Sequence, residues 1–318
     1  MTMIKSNTIH AAGGTDKGRR SSQNEDFYVI DREKNLFLLA DGMGGYRYGE
    51  VASRVACELF TVYFDPKIKD FETHMKDILV KINSHLYNQG AAQGEDKIMG
   101  TTFLACVLAG RRVHLCHAGD VRAYVFRRGR LKQLTRDHST IAEMVALGYL
   151  SAHEARSHPL RHIVNRSLGA ESEVTPDYNS LDIRKGDTLL LCSDGLWTMV
   201  EDKVIRETLE KMETPEQTVE QLINLANQAG GTDNITAIII TLSRGRHPQP
   251  IHGQPDAALS GTSSQKFAKK TKGINKRGWH PQPIHGQPDA ALSGASSQKF
   301  DKKTKGINKK RKPKEDSK

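Results

Sequence analysis

Five short apolar runs, four of them abutting an aspartate, constrain this chain more than any other feature. They are "NLFLLA" (35–40), "TTFLACVL" (101–108), "RVHLCHAG" (112–119), "DTLLLCS" (187–193) and "NITAIIITL" (234–242). Runs of this length, bounded by Gly, Asp and Asn, read as buried strands. A sixth, "FYVI", follows Glu25-Asp26, and "AYVFRRGRLKQLT" (123–135) reads as a hairpin turning near Arg128-Gly129. Strands that come in consecutive groups with short links predict antiparallel sheets rather than repeated βαβ units.

Helices fit between these groups. The segment 49–64 stops before Asp65-Pro66. In 71–89, Phe71, Met75, Ile78, Leu79, Ile82 and Leu86 fall on one helical face. The stretch 214–231 opens with Thr214 as N-cap, Pro215 at the first turn and Gln217 three residues on, and closes on Gly230-Gly231. The expected class is α+β, with helices packed outside antiparallel sheets.

The aspartates sit where strands begin or end: Asp41 after "FLLA", Asp120 after "HLCHAG", Asp194 after "LLLCS", Asp233 before "NITAIII", and Glu25-Asp26 before "FYVI". Glycine lies close to several, as Gly42, Gly119, Gly195 and Gly231. Taken singly, an Asp-Gly pair makes a turn. Taken together, strands sharing one core bring these ends to one place. Clustered carboxylates raise one another's pKa, and burial adds to the penalty. Hard divalent cations with oxygen ligands, Mg²⁺ or Mn²⁺, resolve the conflict. Two such ions about 3.5–4 Å apart form a hydrolytic centre. Calcium storage is the weaker rival, because no EF-hand loop is present.

Charge divides the chain. Its net +10 resides in residues 244–318, which hold 18 basic against 5 acidic side chains, and residues 1–243 are slightly acidic. The basic segment contains a tandem repeat, 247–276 and 280–309, whose copies differ only at Thr262/Ala295 and Ala268/Asp301. It is rich in Pro, Gly, Ser, Gln and Lys and is expected to be disordered. It reads either as a polyanion-binding arm for nucleic acid, ribosomes or anionic lipid, or as a solvated extension. The expected domains are therefore 1–243 and the tail 244–318. The N-terminus has no apolar signal core, no run is long enough to span a membrane, and the four cysteines form no CxxC. These features predict a cytoplasmic protein, and the lack of a coiled coil or apolar stripe predicts a monomer.

Seven segments in order, "RRSSQNED" (19–26), "LLADGMGG" (38–45), "MGTT" (99–102), "HAGDVRAY" (117–124), "LTRDHS" (134–139), "LLLCSDGLW" (189–197) and "GGTDNITAIII" (230–240), resemble the bacterial PP2C-type (PPM) metal-dependent Ser/Thr protein phosphatases. The resemblance covers about residues 8–242. It implies an αββα sandwich and hydrolysis of phosphoserine and phosphothreonine in proteins by a metal-activated water, opposing a bacterial Ser/Thr kinase. It implies that Asp41 bridges two Mn²⁺ or Mg²⁺ ions and that Gly42 offers its carbonyl. Glu25 would reach the second ion, with Asp26 supporting that shell, while Asp194 and Asp233 would complete the first. Asp120, with Asp194, matches the position of a third, weaker metal. Asn234 would orient a ligand or water, or make a turn hydrogen bond.

The chain departs from the pattern at two points. The family's phosphate-binding arginine falls here on Ser21, and the adjacent Arg20 is expected to take its place; otherwise it is an exposed loop arginine. Met43 occupies the position of a candidate general acid in eukaryotic members. Residues 139–160 correspond to the family's variable flap, expected to cover the site and influence substrate choice. The displaced arginine leaves one rival open, a phosphoprotein-binding module without turnover.

Overall fold

The computed structural model describes residues 9–44, 48–94, 97–151, 154–155, 158–161 and 163–242. The tail 244–318, with its expected disorder and polyanion binding, lies outside the described residues.

Ten strands form two antiparallel sheets. They are β1 (Ile9–Asp16), β2 (Asp26–Asp31), β3 (Leu36–Met43), β4 (Gly100–Ala109), β5 (Arg112–Ala118), β6 (Arg122–Arg127), β7 (Arg130–Gln133), β8 (Asp177–Asp182), β9 (Thr188–Cys192) and β10 (Ile235–Leu242). One sheet has the order β1-β10-β9-β6-β7 and the other β2-β3-β4-β5-β8. Among the described residues the helices are α1 (Tyr48–Tyr63), α2 (Phe71–Gln93), α3 (Thr140–Ala146), the single turn α4 (Asp194–Trp197), α5 (Asp202–Glu210) and α6 (Pro215–Gln228).

The apolar runs are continuous because the inner strands are buried on both faces. In β3, Phe37 and Leu39 join Leu104, Leu115, Leu189 and Ile238 between the sheets. Leu36, Leu38 and Ala40, on the other face, pack with Phe60, Met75 and Leu79 of α1 and α2. On the second sheet, Leu190 and Ile239 turn outward to Leu209 of α5 and Leu222 of α6. Two-residue alternation thus feeds three apolar layers, giving the expected helix–sheet–sheet–helix order.

Local signals hold as well. The β6–β7 hairpin turns on Arg128 and Gly129, both at positive φ (52° and 74°), which suits a two-residue turn matched to strand twist. Thr214 caps α6 by accepting from the Gln217 N–H at 3.2 Å. All four cysteines are buried and free. No helix of the described residues is long and apolar enough to cross a membrane.

Candidate active site

The predicted carboxylates arrive at one rim from both sheets. β2 and β3 pair Asp26 with Asp41 directly, and β3 and β4 pair Asp41 with Thr102. Asp120 follows β5, Asp194 follows β9, and Asp233 precedes β10. Glu25, Asp41, Gly42, Asp120, Asp194 and Asp233 all line one cleft of about 570 Å³. Asp26 lies behind it, buried.

The backbone here has no room to spare. A Cβ on Gly42 would come within 2.2 Å of the Gly49 carbonyl and 2.7 Å of the Glu25 carbonyl. Gly42 N–H donates to that same Glu25 carbonyl at 3.1 Å. Ser53 Oγ donates to it at 2.6 Å. The glycine is therefore required by the approach of α1 and the 17–25 loop, and that approach sets Glu25 beside Asp41.

Asn234 is the staple of this loop. Its Oδ1 accepts from the Glu25 N–H at 2.7 Å, and its Nδ2 donates to the carbonyls of Lys17 (3.0 Å) and Gln23 (2.9 Å). Of the two roles open to it in the sequence, the structural one is filled by these bonds.

Asp26 clamps the sheets together. Its Oδ2 accepts from Ser193 Oγ at 2.8 Å and Thr236 Oγ1 at 2.6 Å, while its buried Oδ1 has no partner among the described residues. Burial, followed by the charges of Asp194 and Asp233, outweighs those two bonds and pushes its pKa up to about 7. Asp41 is held well above the ordinary carboxylate range by burial first, then by Asp26, Asp194, Asp120 and Asp233. Burial and Asp194 do the same to Asp120. Glu25 is raised by burial, Asp233 and Glu50. So many mutually opposed carboxylates, with an oxygen left over at Asp26, form an all-oxygen donor set that fits hard divalent cations.

Behind Asp120 stands a scaffold that the motifs marked without explaining. Trp197 Nε1 donates to the Asp120 carbonyl at 3.1 Å. The Arg122 guanidinium lies 3.5 Å from the centre of the Trp197 ring and forms a double hydrogen bond with buried Asp137. Gly119 N–H donates to His138 Nδ1 at 3.1 Å, so the neutral ring carries its proton on Nε2, towards Asp177. His117, His138 and Asp177 lie close enough to suggest a metal cluster. The hydrogen bonds already engage His138 at both nitrogens, and His117 Nε2 bonds the Arg136 carbonyl at 2.9 Å, so this cluster is read as structural.

Arg20 lines the cleft with Ser21, whereas Arg19 is not among its lining residues, and the Arg19 backbone N–H donates to the Gly231 carbonyl at 2.7 Å. A second arginine, Arg161, also borders the cleft. The sequence offered no motif for it; its only signal was its place just beyond the flap segment.

The protein phosphatase 2C family model matches residues 13–237. The serine/threonine phosphatase stp of Listeria monocytogenes is 34% identical over 240 residues, covering 73% of this chain and 95% of that protein. The crystal structure of the Mycobacterium tuberculosis serine/threonine phosphatase PstP/Ppp has 35% identity and a TM-score of 0.69, covering 74% of this chain and 99% of that one. The catalytic domain of PstP, solved with two manganese ions, has 33% identity and a TM-score of 0.67, covering 74% and 98%. The chain belongs to the protein phosphatase 2C family, the metal-dependent serine/threonine protein phosphatases that its motifs resemble.

Proposed function

We propose that this chain hydrolyses phosphoserine and phosphothreonine in proteins, using Mn²⁺ or Mg²⁺ held by Asp41, Glu25, the Gly42 carbonyl, Asp194 and Asp233. The observation that carries this reading is the convergence of those groups, with Asp120 and two arginines, on one cleft. A third, weaker cation would sit between Asp120 and Asp194. Bound cations would lower the pKa of water and neutralise charge on the phosphoryl oxygens.

The chain's own residues hold and orient. Arg20 presents a planar fork suited to two phosphate oxygens. Asn234 fixes the loop that carries Glu25, and Asp26 ties that loop to Ser193 and Thr236 of the other sheet. Cys192 is no nucleophile: it is fully buried, and burial raises its thiol far above the ordinary range. Arg20's position on the cleft speaks against the alternative of a phosphoprotein-binding module without turnover.

The physiological setting follows from the same reading. The enzyme would oppose a Ser/Thr protein kinase in the cytoplasm as a monomer, with residues 1–243 as the catalytic unit. The basic tail, 244–318, would act separately as a polyanion-binding arm. The deciding experiment is hydrolysis of a phosphothreonine peptide with Mn²⁺, with EDTA, and by Asp194→Asn. Turnover that needs metal and falls by about 10²–10³-fold in the variant, as on loss of one electrostatic stabiliser, is expected. Tight metal binding without turnover would overturn the reading.

A further inference from the structure

The end of the sandwich away from the cleft collects arginines. Three turns meet there, each with a glycine at positive φ: Gly110 between β4 and β5 (59°), Gly129 between β6 and β7 (74°) and Gly186 between β8 and β9 (86°). A Cβ on Gly110 or Gly186 would touch nothing within 4 Å, so both tips stand in open space. Arg111, Arg128, Arg130, Arg184 and Lys185 flank these glycines, and all five are exposed. Hydrogen bonds tie the three turns into one face. Ile183 N–H donates to the Arg111 carbonyl at 2.9 Å. Arg127 Nη2 donates to the Asp182 carbonyl at 2.9 Å, and the same guanidinium pairs with Asp187 at 2.6 Å.

Two observations separate this face from ordinary solvated surface. The first is unmatched charge. Residues 1–243 are slightly acidic overall, and surfaces usually intersperse the two signs. The carboxylates of this face, Asp182 and Asp187, are taken by Arg112, at 3.7 Å, and by Arg127. Glu210, beside Gly129, pairs with Arg206 at 2.8 Å. Among the described residues no hydrogen bond or ion pair engages the five flanking side chains. The second is backbone conformation. Arg128 holds a φ of 52°, in the left-handed region that favours Gly or Asn over a long side chain.

Cations left unmatched within the fold suit an anion outside it. Four of the five are arginines, whose planar forks fit phosphate oxygens. None of the exposed large apolar side chains among the described residues lies on these turns. The face therefore offers neither an apolar wedge for a bilayer nor a stacking platform for single strands. Cations fixed on tight turns, without aromatics, match the regular phosphates of a double helix, contacted without reading its sequence. We propose that this face binds the backbone of duplex nucleic acid. Strand β5 runs from Arg112 here to Ala118 beside Asp120, which sets the face about 20 Å from the cleft at ~3.3 Å per residue. A bound duplex thus leaves the cleft open. Strand β10 also ends here, with Leu242 N–H donating to the Asp187 carbonyl at 3.2 Å, and the basic residues 244–318 follow in sequence.

The test is binding of the full chain to a short, fluorescein-labelled DNA duplex of random sequence, read by anisotropy across a salt series. The triple variant Arg128→Asn, Arg130→Gln, Arg184→Gln should bind more weakly. It should also flatten the plot of log K against log salt by about 3, roughly one for each lost phosphate contact. A control, Lys17→Gln, Lys81→Gln, Lys203→Gln, removes as many exposed charges away from the three turns and should leave the slope nearly unchanged. No wild-type binding at low salt would overturn the proposal. An unchanged slope in the first variant would assign binding to the tail, and an equal loss in the control would reduce it to general charge attraction; either result overturns the face. Tighter binding to phosphatidylserine vesicles than to duplex, lost in the first variant, would make the partner a membrane and overturn the duplex. If the triple variant lowers the thermal unfolding midpoint, Arg128→Asn alone carries the test, because asparagine tolerates a positive φ. It should flatten the slope by about 1, and no change would overturn the proposal.

Discussion

The catalytic cleft and a second hollow of about 690 Å³, which shares Arg161 with it, are built on opposite plans. The cleft is made from strand ends of both sheets, and its carboxylates are backed by hydrogen bonds that cross between the sheets, as from Asp26 to Ser193 and Thr236. In the hollow the seven-residue surface helix α3, with one buried side chain, supplies only Ile141, Ala142 and Val145, and charged groups such as Arg136, Glu201 and Lys203 supply much of the rest. Chemistry is thus anchored in the core, where a change is felt throughout the fold. The hollow rests in part on a short surface helix whose side chains, Ile141 apart, stay outside the core.

The strongest way to break this contrast is at the one pillar that serves both sites. Arg122→Ala removes the partner of buried Asp137 and the cover of Trp197. Breaking such a pair costs about 3–5 kcal/mol. The thermal unfolding midpoint should then fall by roughly 10 °C, given about 2–4 °C per kcal/mol for a domain of this size. A shift near zero would show that Trp197 is held without it. Next in size, Arg20→Ala should lower kcat/KM by about 10–100-fold, the worth of charge-assisted hydrogen bonds to phosphate. The loss should be equal for small esters and peptides, because Arg20 lines the cleft itself.

The smallest effect concerns protons. In chelator, Asp26, near 7, and the raised Asp41 and Asp120 keep protons that unfolded carboxyls release near 4. The native state then binds more protons than the unfolded chain, so stability falls as pH rises from about 4 through 7. Melting curves at pH 5 and 7.5 should show the lower midpoint at 7.5. Mn²⁺ should remove the difference, and Asp26→Asn should reduce it.

The inner strands were legible because both their faces are buried, leaving uninterrupted apolar runs. The edges were not. β1, "IHAAGGTD", and β8, "DYNSLD", each pair on one side only, and neither carries an apolar run. The carboxylate rim could be read from Asp41, Asp120, Asp194 and Asp233 because strand ends are fixed in sequence. Arg161 and the platform of Trp197 could not. Their roles depend on which distant segments the fold brings together, Arg161 to the cleft and Trp197 to the Asp120 carbonyl, long-range contacts without a local pattern. Asn234 shows an intermediate case: its position beside Asp233 was visible, but its three bonds to the 17–25 loop were not.

The indole bond to the Asp120 carbonyl has an optical consequence. The chain has two tryptophans, Trp197 and Trp279. In a Trp279→Phe variant the only tryptophan emission would come from a ring joined to the cleft by one hydrogen bond and covered by a cation. The protein then carries a built-in fluorophore at its working end, and cation loading or substrate entry can be followed without an added label.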